Sequence, residues 1–171
     1  MPADIKHELI AHLATAQAIE RQSLGLMRTA IECSGDEQIA AIYRAHREET
    51  EDHVRCLAER AAACGGAGST AGGVDSRLAA LEIRFASPAS SATLAAAAYA
   101  LENLEIAAYH LLLGIAERAG DHQTVALAGR ILEQEEAAAE VVASTFDRAL
   151  EVSMGERPRS PVSHFGAGDA R

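Results

Sequence analysis

ACGGAGSTAGG, residues 63–73, interrupts a chain that otherwise reads as helix, and the length of the break decides how the helices connect. Five glycines in eleven residues neither propagate a helix nor bury a face. The piece that follows, VDSRLAALEIRFA (74–86), has amphipathic spacing and is expected to form a short helix before SPASS (87–91) opens the next long one. On either side the links are short: SGDEQ (34–38) and AGDHQ (119–123) each supply a glycine stop followed by an aspartate N-cap. Helical periodicity therefore runs over roughly 4–33, 36–62, 90–118 and 121–150. A short, long, short order of connections gives two antiparallel hairpins joined by one crossover long enough to run the length of a bundle. The expected fold is all-α, a ferritin-like four-helix bundle over residues 1–151, with 152–171 (VSMGERPRSPVSHFGAGDAR) lacking periodicity and expected to be a disordered tail.

Composition agrees. The 171 residues suit one domain, 49% are apolar, only 4% are aromatic, and four prolines leave the body free to be helical. A formal charge of −10 excludes a nucleic-acid backbone as a natural partner. The polar start MPADIKHELIAHL does not read as a signal peptide, and no run is apolar enough to span a membrane. Three cysteines without a CxxC pair suggest a reducing compartment, so a cytoplasmic protein is expected.

The two hairpins look like diverged copies. A shift of 85 residues carries Glu20 onto Glu105, Leu26 onto Leu111, Glu32 onto Glu117, Gly35-Asp36 onto Gly120-Asp121 and Gln38 onto Gln123. Beyond the hinge the match weakens, since Glu49 lands on Gln134.

One glutamate breaks each apolar stripe near mid-helix. Glu20 precedes the first hinge by about as many residues as Glu49 follows it, and Glu105 and Glu136 flank the second hinge likewise. At ~1.5 Å per residue, all four carboxylates lie roughly 20 Å from a hinge and meet halfway along the bundle. Burying several ionised carboxylates without counter-charge costs many kcal/mol. No lysine or arginine interrupts the stripes, and a pair of divalent cations would resolve the conflict. Glu20, Glu49, Glu105 and Glu136 form the expected ligand set. His53 ranks next, four residues after Glu49 and on the same face. His46, Glu102, Glu135 and Glu140 follow, His46 as a hydrogen-bonded support. Tyr109 is read mainly as packing, with a hydrogen bond to a site carboxylate as the alternative. Cys56 is read as a small buried hydrophobe.

AIERQ (18–22), HREETEDHV (46–54), LENLEIAAY (101–109) and AERAGD (116–121) together resemble the YciE/YciF-like family of ferritin-like bacterial proteins, over roughly residues 5–148. The resemblance implies the same bundle, a homodimer and a link to stress responses. Combined with the carboxylates, it suggests two iron or manganese ions per chain, with peroxide or dioxygen as the small molecule handled. Glu49 and Glu136 would bridge the ions, with Glu20, Glu105 and His53 as terminal ligands. The Glu-x-x-His repeats of full di-iron bundles are absent. The alternative is therefore a metal-free helical stress or interaction protein whose carboxylates are vestigial. A storage cage is a third option.

Overall fold

The computed structural model describes residues 3–66 and 90–155, and among these residues it is entirely helical. Helix α1 spans Ala3–Cys33 and α2 Glu37–Ala63, α3 spans Ser91–Ala119 and α4 His122–Ser144, and a short α5 covers Phe146–Ser153. Helices α1 and α2 pair as one hairpin and α3 and α4 as the other; α1 packs closely along α3, whereas α2 and α4 meet more loosely. This is the expected ferritin-like bundle. The short helix expected at 74–86 lies outside the described residues. None of the described helices is long and apolar enough to cross a membrane.

Both hinges are built alike. Gly35 and Gly120 each adopt φ +67°, a left-handed turn that glycine makes without strain. The next residue then caps the following helix. Asp36 accepts from the Gln38 and Ile39 amides at 3.0 and 3.1 Å, and Asp121 accepts from the Thr124 amide at 3.0 Å. Each cap is also gripped by an arginine from elsewhere in the fold. Arg148 of α5 donates to both Asp36 oxygens at 2.7 and 2.6 Å, and Arg60 of α2 donates to Asp121 and, at 2.8 Å, to Thr124. Arg148 holds the Asp36 carboxyl below its usual range. Because Asp36 is largely buried and the pair is bidentate, Arg148→Ala is expected to lower stability by about 1.5–3 kcal/mol. In thermal denaturation that is a fall of roughly 4–10 °C, of which Arg148→Lys recovers only part.

The fourth helix is expected to run unbroken to about residue 150, but it stops at Ser144. The Thr145 hydroxyl donates to the Val142 carbonyl at 2.7 Å, and the Thr145 amide turns to the same carbonyl at 3.0 Å, tightening the last turn. That redirects α5 across the start of α3. Ala149 is fully buried, the Ser153 hydroxyl accepts from the Ala92 amide at 2.9 Å, and Phe146 meets Tyr99 edge to face at 5.5 Å. Helix α5 thus extends two residues into the stretch expected to lack structure; residues 156–171 lie outside the described residues.

The core has three layers along its length. Leu9, Leu13, Leu57, Leu112 and Ile131 anchor one apolar cluster, and Met27, Ile39, Leu94, Ala98 and Val142 anchor another. Between them every long helix contributes polar groups that are as buried as the leucines: Glu20, His46, Thr50, His53, Glu102, Glu105 and Glu135.

Candidate metal centre

Phase along each helix explains which side chains enter this layer. On α2 the buried positions run Ile39, Tyr43, His46, Thr50, His53 and Leu57, alternating steps of four and three. His46 and His53 are two turns apart on that face, with Thr50 between them donating its hydroxyl to the His46 carbonyl at 3.1 Å. On α3, Glu102 and Glu105 are neighbours one turn apart; on α4, Glu135 falls in step with Thr124, Ala128, Ile131 and Val142. Helix α1 adds Glu20.

Six side chains converge. His46, Glu102, Glu105 and Glu135 bring one donor atom each to within 4.8 Å of one another, and Glu20, His53 and Glu135 do the same, so Glu135 belongs to both sets. His46 Nε2 lies 3.1 Å from Glu102 Oε2 and 3.7 Å from Glu135 Oε2. His53 Nδ1 lies 2.8 Å from Glu135 Oε1 and 3.3 Å from Glu20 Oε1. Near as they are, these atoms are not aligned as hydrogen bonds. Glu20 Oε2, His46 Nε2, His53 Nδ1, Glu102 Oε2 and both oxygens of Glu105 and Glu135 are buried without a hydrogen-bond partner. Buried polar atoms are rarely left so, because each costs about 1–3 kcal/mol. Converging unpartnered lone pairs on carboxylates and imidazoles are what a hard or borderline divalent cation requires. Four carboxylates and two neutral imidazoles also balance two such ions charge for charge. The donor set fits a pair of metals.

The outward side of each histidine is tied down. His46 Nδ1 faces Glu49 Oε2 at 3.5 Å, and His53 Nε2 faces Gln134 Oε1 at 3.3 Å. The Tyr109 hydroxyl donates to Glu20 Oε1. Tyr109 is thus more than the packing residue expected from sequence. Without metal, the layer holds protons. Burial pushes Glu105 well above the usual carboxylate range, reinforced by the Glu20, Glu135 and Glu102 charges. Burial likewise raises Glu102, to about 7, and Glu20. For the histidines burial pulls downward, but the adjacent carboxylates outweigh it and hold His46 at about 9 and His53 at about 10.

Of the ligands expected from sequence, Glu20, His53 and Glu105 stand in the layer. Glu49 does not: its side chain is 52% exposed and reaches the cluster only through His46. Glu136 and Glu140 are exposed as well. The expected core placement of Glu49 and Glu136 is therefore corrected, for one physical reason. The stripe Ile42, Glu49, Cys56 is one position out of phase with the buried Tyr43, Thr50, Leu57, and Glu136 is one position out of phase with Glu135. Cys56 is correspondingly only half-buried, 3.5 Å from Asp52. His46, Glu102 and Glu135 are principal members of the cluster rather than outer ones. The 85-residue repeat contained the signal for Glu135, because it pairs Glu135 with Thr50.

Residues 4–152 match the family described as "Domain of unknown function (DUF892)". The fold is similar to that of a crystallised protein (XCC3681) from Xanthomonas campestris, with a TM-score of 0.74 and 20% identity, over 90% of this chain and 97% of that one. No curated protein matches the chain.

Proposed function

The chain belongs to the DUF892 family, and from the geometry of its buried layer we propose that it is a carboxylate-rich metal protein holding two iron or manganese ions. One observation carries the reading: six buried side chains from all four long helices aim unpartnered donor atoms at common points, and Glu135 serves both sets. Glu20 and His53 would complete one position; His46, Glu102 and Glu105 would complete the other. When bound, such a pair supplies one-electron redox chemistry toward peroxide or dioxygen. The chain's own residues prepare that chemistry. Glu135 belongs to both donor sets and would contribute to both positions. Tyr109 fixes one Glu20 oxygen and leaves the other free for ligation. The apolar clusters at either end shield the layer from water along the bundle axis. The reading as peroxide or iron handling under stress is supported by the resemblance of the glutamate-bearing segments to YciE/YciF-like proteins.

The metal-free alternative has one observation in its favour. Protonated His46 and His53 stand within 3.1 and 2.8 Å of carboxylates, so the layer can compensate part of its own charge. Thermal denaturation separates the two. After chelator treatment, anaerobic Mn(II) or Fe(II) at one hundred times its Kd should stabilise the chain by about 2.7 kcal/mol, a rise of roughly 5–10 °C reversed by EDTA. An unchanged midpoint with either metal favours the metal-free reading.

A further inference from the structure

Beyond the six converging side chains, a short polar relay crosses the seam between α2 and α4. Arg130 is exposed on α4, one turn before Gln134, and its Nη1 donates to Gln134 Oε1 at 3.0 Å. A guanidinium has only donors, so the amide atom in front of it must be the oxygen. That same oxygen lies 3.3 Å from His53 Nε2. An amide oxygen only accepts, so Nε2 must carry the hydrogen, and the lone pair available to a metal is on Nδ1, the nitrogen that faces Glu135 and Glu20. The same logic gives His46 the opposite arrangement. The Glu49 carboxylate accepts from Nδ1, leaving Nε2 to face Glu102 and Glu135.

We propose that Gln134, oriented by Arg130, is a positioning residue that fixes the His53 tautomer, so that the two histidines of α2 ligate through opposite ring nitrogens, His53 through Nδ1 and His46 through Nε2. The proposal rests on the metal reading above. It assigns Gln134 and Arg130 a purpose that neither burial nor packing gives them. Gln134 is half-buried, Arg130 is exposed, and Arg130 otherwise reaches the Cys56 sulfur at 3.8 Å and the field of the Asp52 carboxylate. It also gives the two halves of the seam matching construction, with an outward acceptor behind each imidazole: a carboxylate on α2 for His46, and an amide on α4 for His53.

The test uses the full chain labelled with 15N-histidine and loaded with Zn(II) alone, a diamagnetic probe that accepts the same donors. Long-range 1H–15N spectra report which nitrogen of each ring binds metal and which keeps its hydrogen. In the unsubstituted chain, metal-bound Nδ1 with Nε2–H at His53, and the reverse at His46, is expected. Gln134→Leu should weaken Zn(II) affinity about 10- to 100-fold at one of the two positions and mix the His53 tautomers. Gln134→Glu, which still offers an acceptor, should restore the spectrum. Arg130→Ala, at an exposed position and so without risk to the fold, should mix the tautomers in the same direction with a smaller loss of affinity. Zinc binding through Nε2 of His53 would overturn the proposal, as would a Gln134→Leu spectrum and affinity equal to those of the unsubstituted chain; both would leave the metal reading standing. Failure of the unsubstituted chain to bind Zn(II), Mn(II) or Fe(II) would overturn the metal reading and the relay with it.

Discussion

Glu135→Ala is expected to disable both metal positions at once, reducing binding from about two ions per chain to less than one, whereas Glu136→Ala, its immediate neighbour, leaves binding intact. The asymmetry follows from phase. Glu135 is fully buried and shared by both sets of donors, and Glu136, one residue further round the helix, is exposed. In metal-free protein the two substitutions should also separate. Removing Glu135 strips His53 of its nearest carboxylate, at 2.8 Å, and His46 Nε2 of the second of the two carboxylates it faces, at 3.7 Å. Breaking a buried ion pair on one side costs about 3–5 kcal/mol, whereas an exposed surface change stays within about 0.5 kcal/mol. Calorimetric titration with Mn(II), followed by urea denaturation of both variants, reads the two effects. Equal binding by both variants would remove Glu135 from the shared position.

Metal-free and metal-loaded protein should respond to pH in opposite senses. Glu102 is raised from 4.5 to about 7, His46 from 6.5 to about 9 and His53 from 6.5 to about 10. In each case the native state holds its proton more tightly than the unfolded chain does. The stability these protons contribute is fully present below the unfolded pKa and is lost as pH rises through the folded one. For Glu102 the loss falls between 4.5 and about 7, and for the histidines between 6.5 and about 10. Metal competes with the same protons, so its affinity rises across the same range. Between pH 5 and pH 9 the Tm of metal-free protein should fall by roughly 10 °C, while that of protein in excess Mn(II) stays level or rises. Asp36 acts in a separate window: Arg148 lowers its pKa, so its contribution is present above 3.8 and disappears only in stronger acid. Parallel pH profiles with and without metal would mean that metal does not meet the protons of this layer.

The bundle was legible because its signals are long-range and redundant. Four stretches of helical period, two Gly-Asp hinges and one glycine-rich interruption leave little choice of topology. The level of the carboxylates was legible for the same reason, since helical rise places Glu20 and Glu105 at mid-height wherever the helices rotate. Rotation itself was harder to read. A period of 3.6 residues lets two neighbouring stripes on α2 share Ile39, His46 and His53 while differing at every other position, and only packing selects Thr50 over Glu49. On α4 the adjacent Glu135 and Glu136 pose the same ambiguity, one helical step of 100° apart. The relay through Gln134 carries no sequence signature, because it depends on a contact between two residues 81 positions apart on different helices. The bend at Thr145 was invisible for a similar reason: a threonine that turns its hydroxyl back on the helix differs from one that does not only in its surroundings.

A polar layer that serves as a two-metal site must retain metal in stoichiometric amount. The most direct measurement is the metal content, by mass spectrometry, of untagged protein loaded anaerobically with Fe(II) or Mn(II) and then desalted. Close to two ions per chain, held by the unsubstituted protein and lost in Glu135→Ala, is the predicted result. A chain that retains neither metal would contradict a two-metal site and leave a proton-filled carboxylate layer in its place.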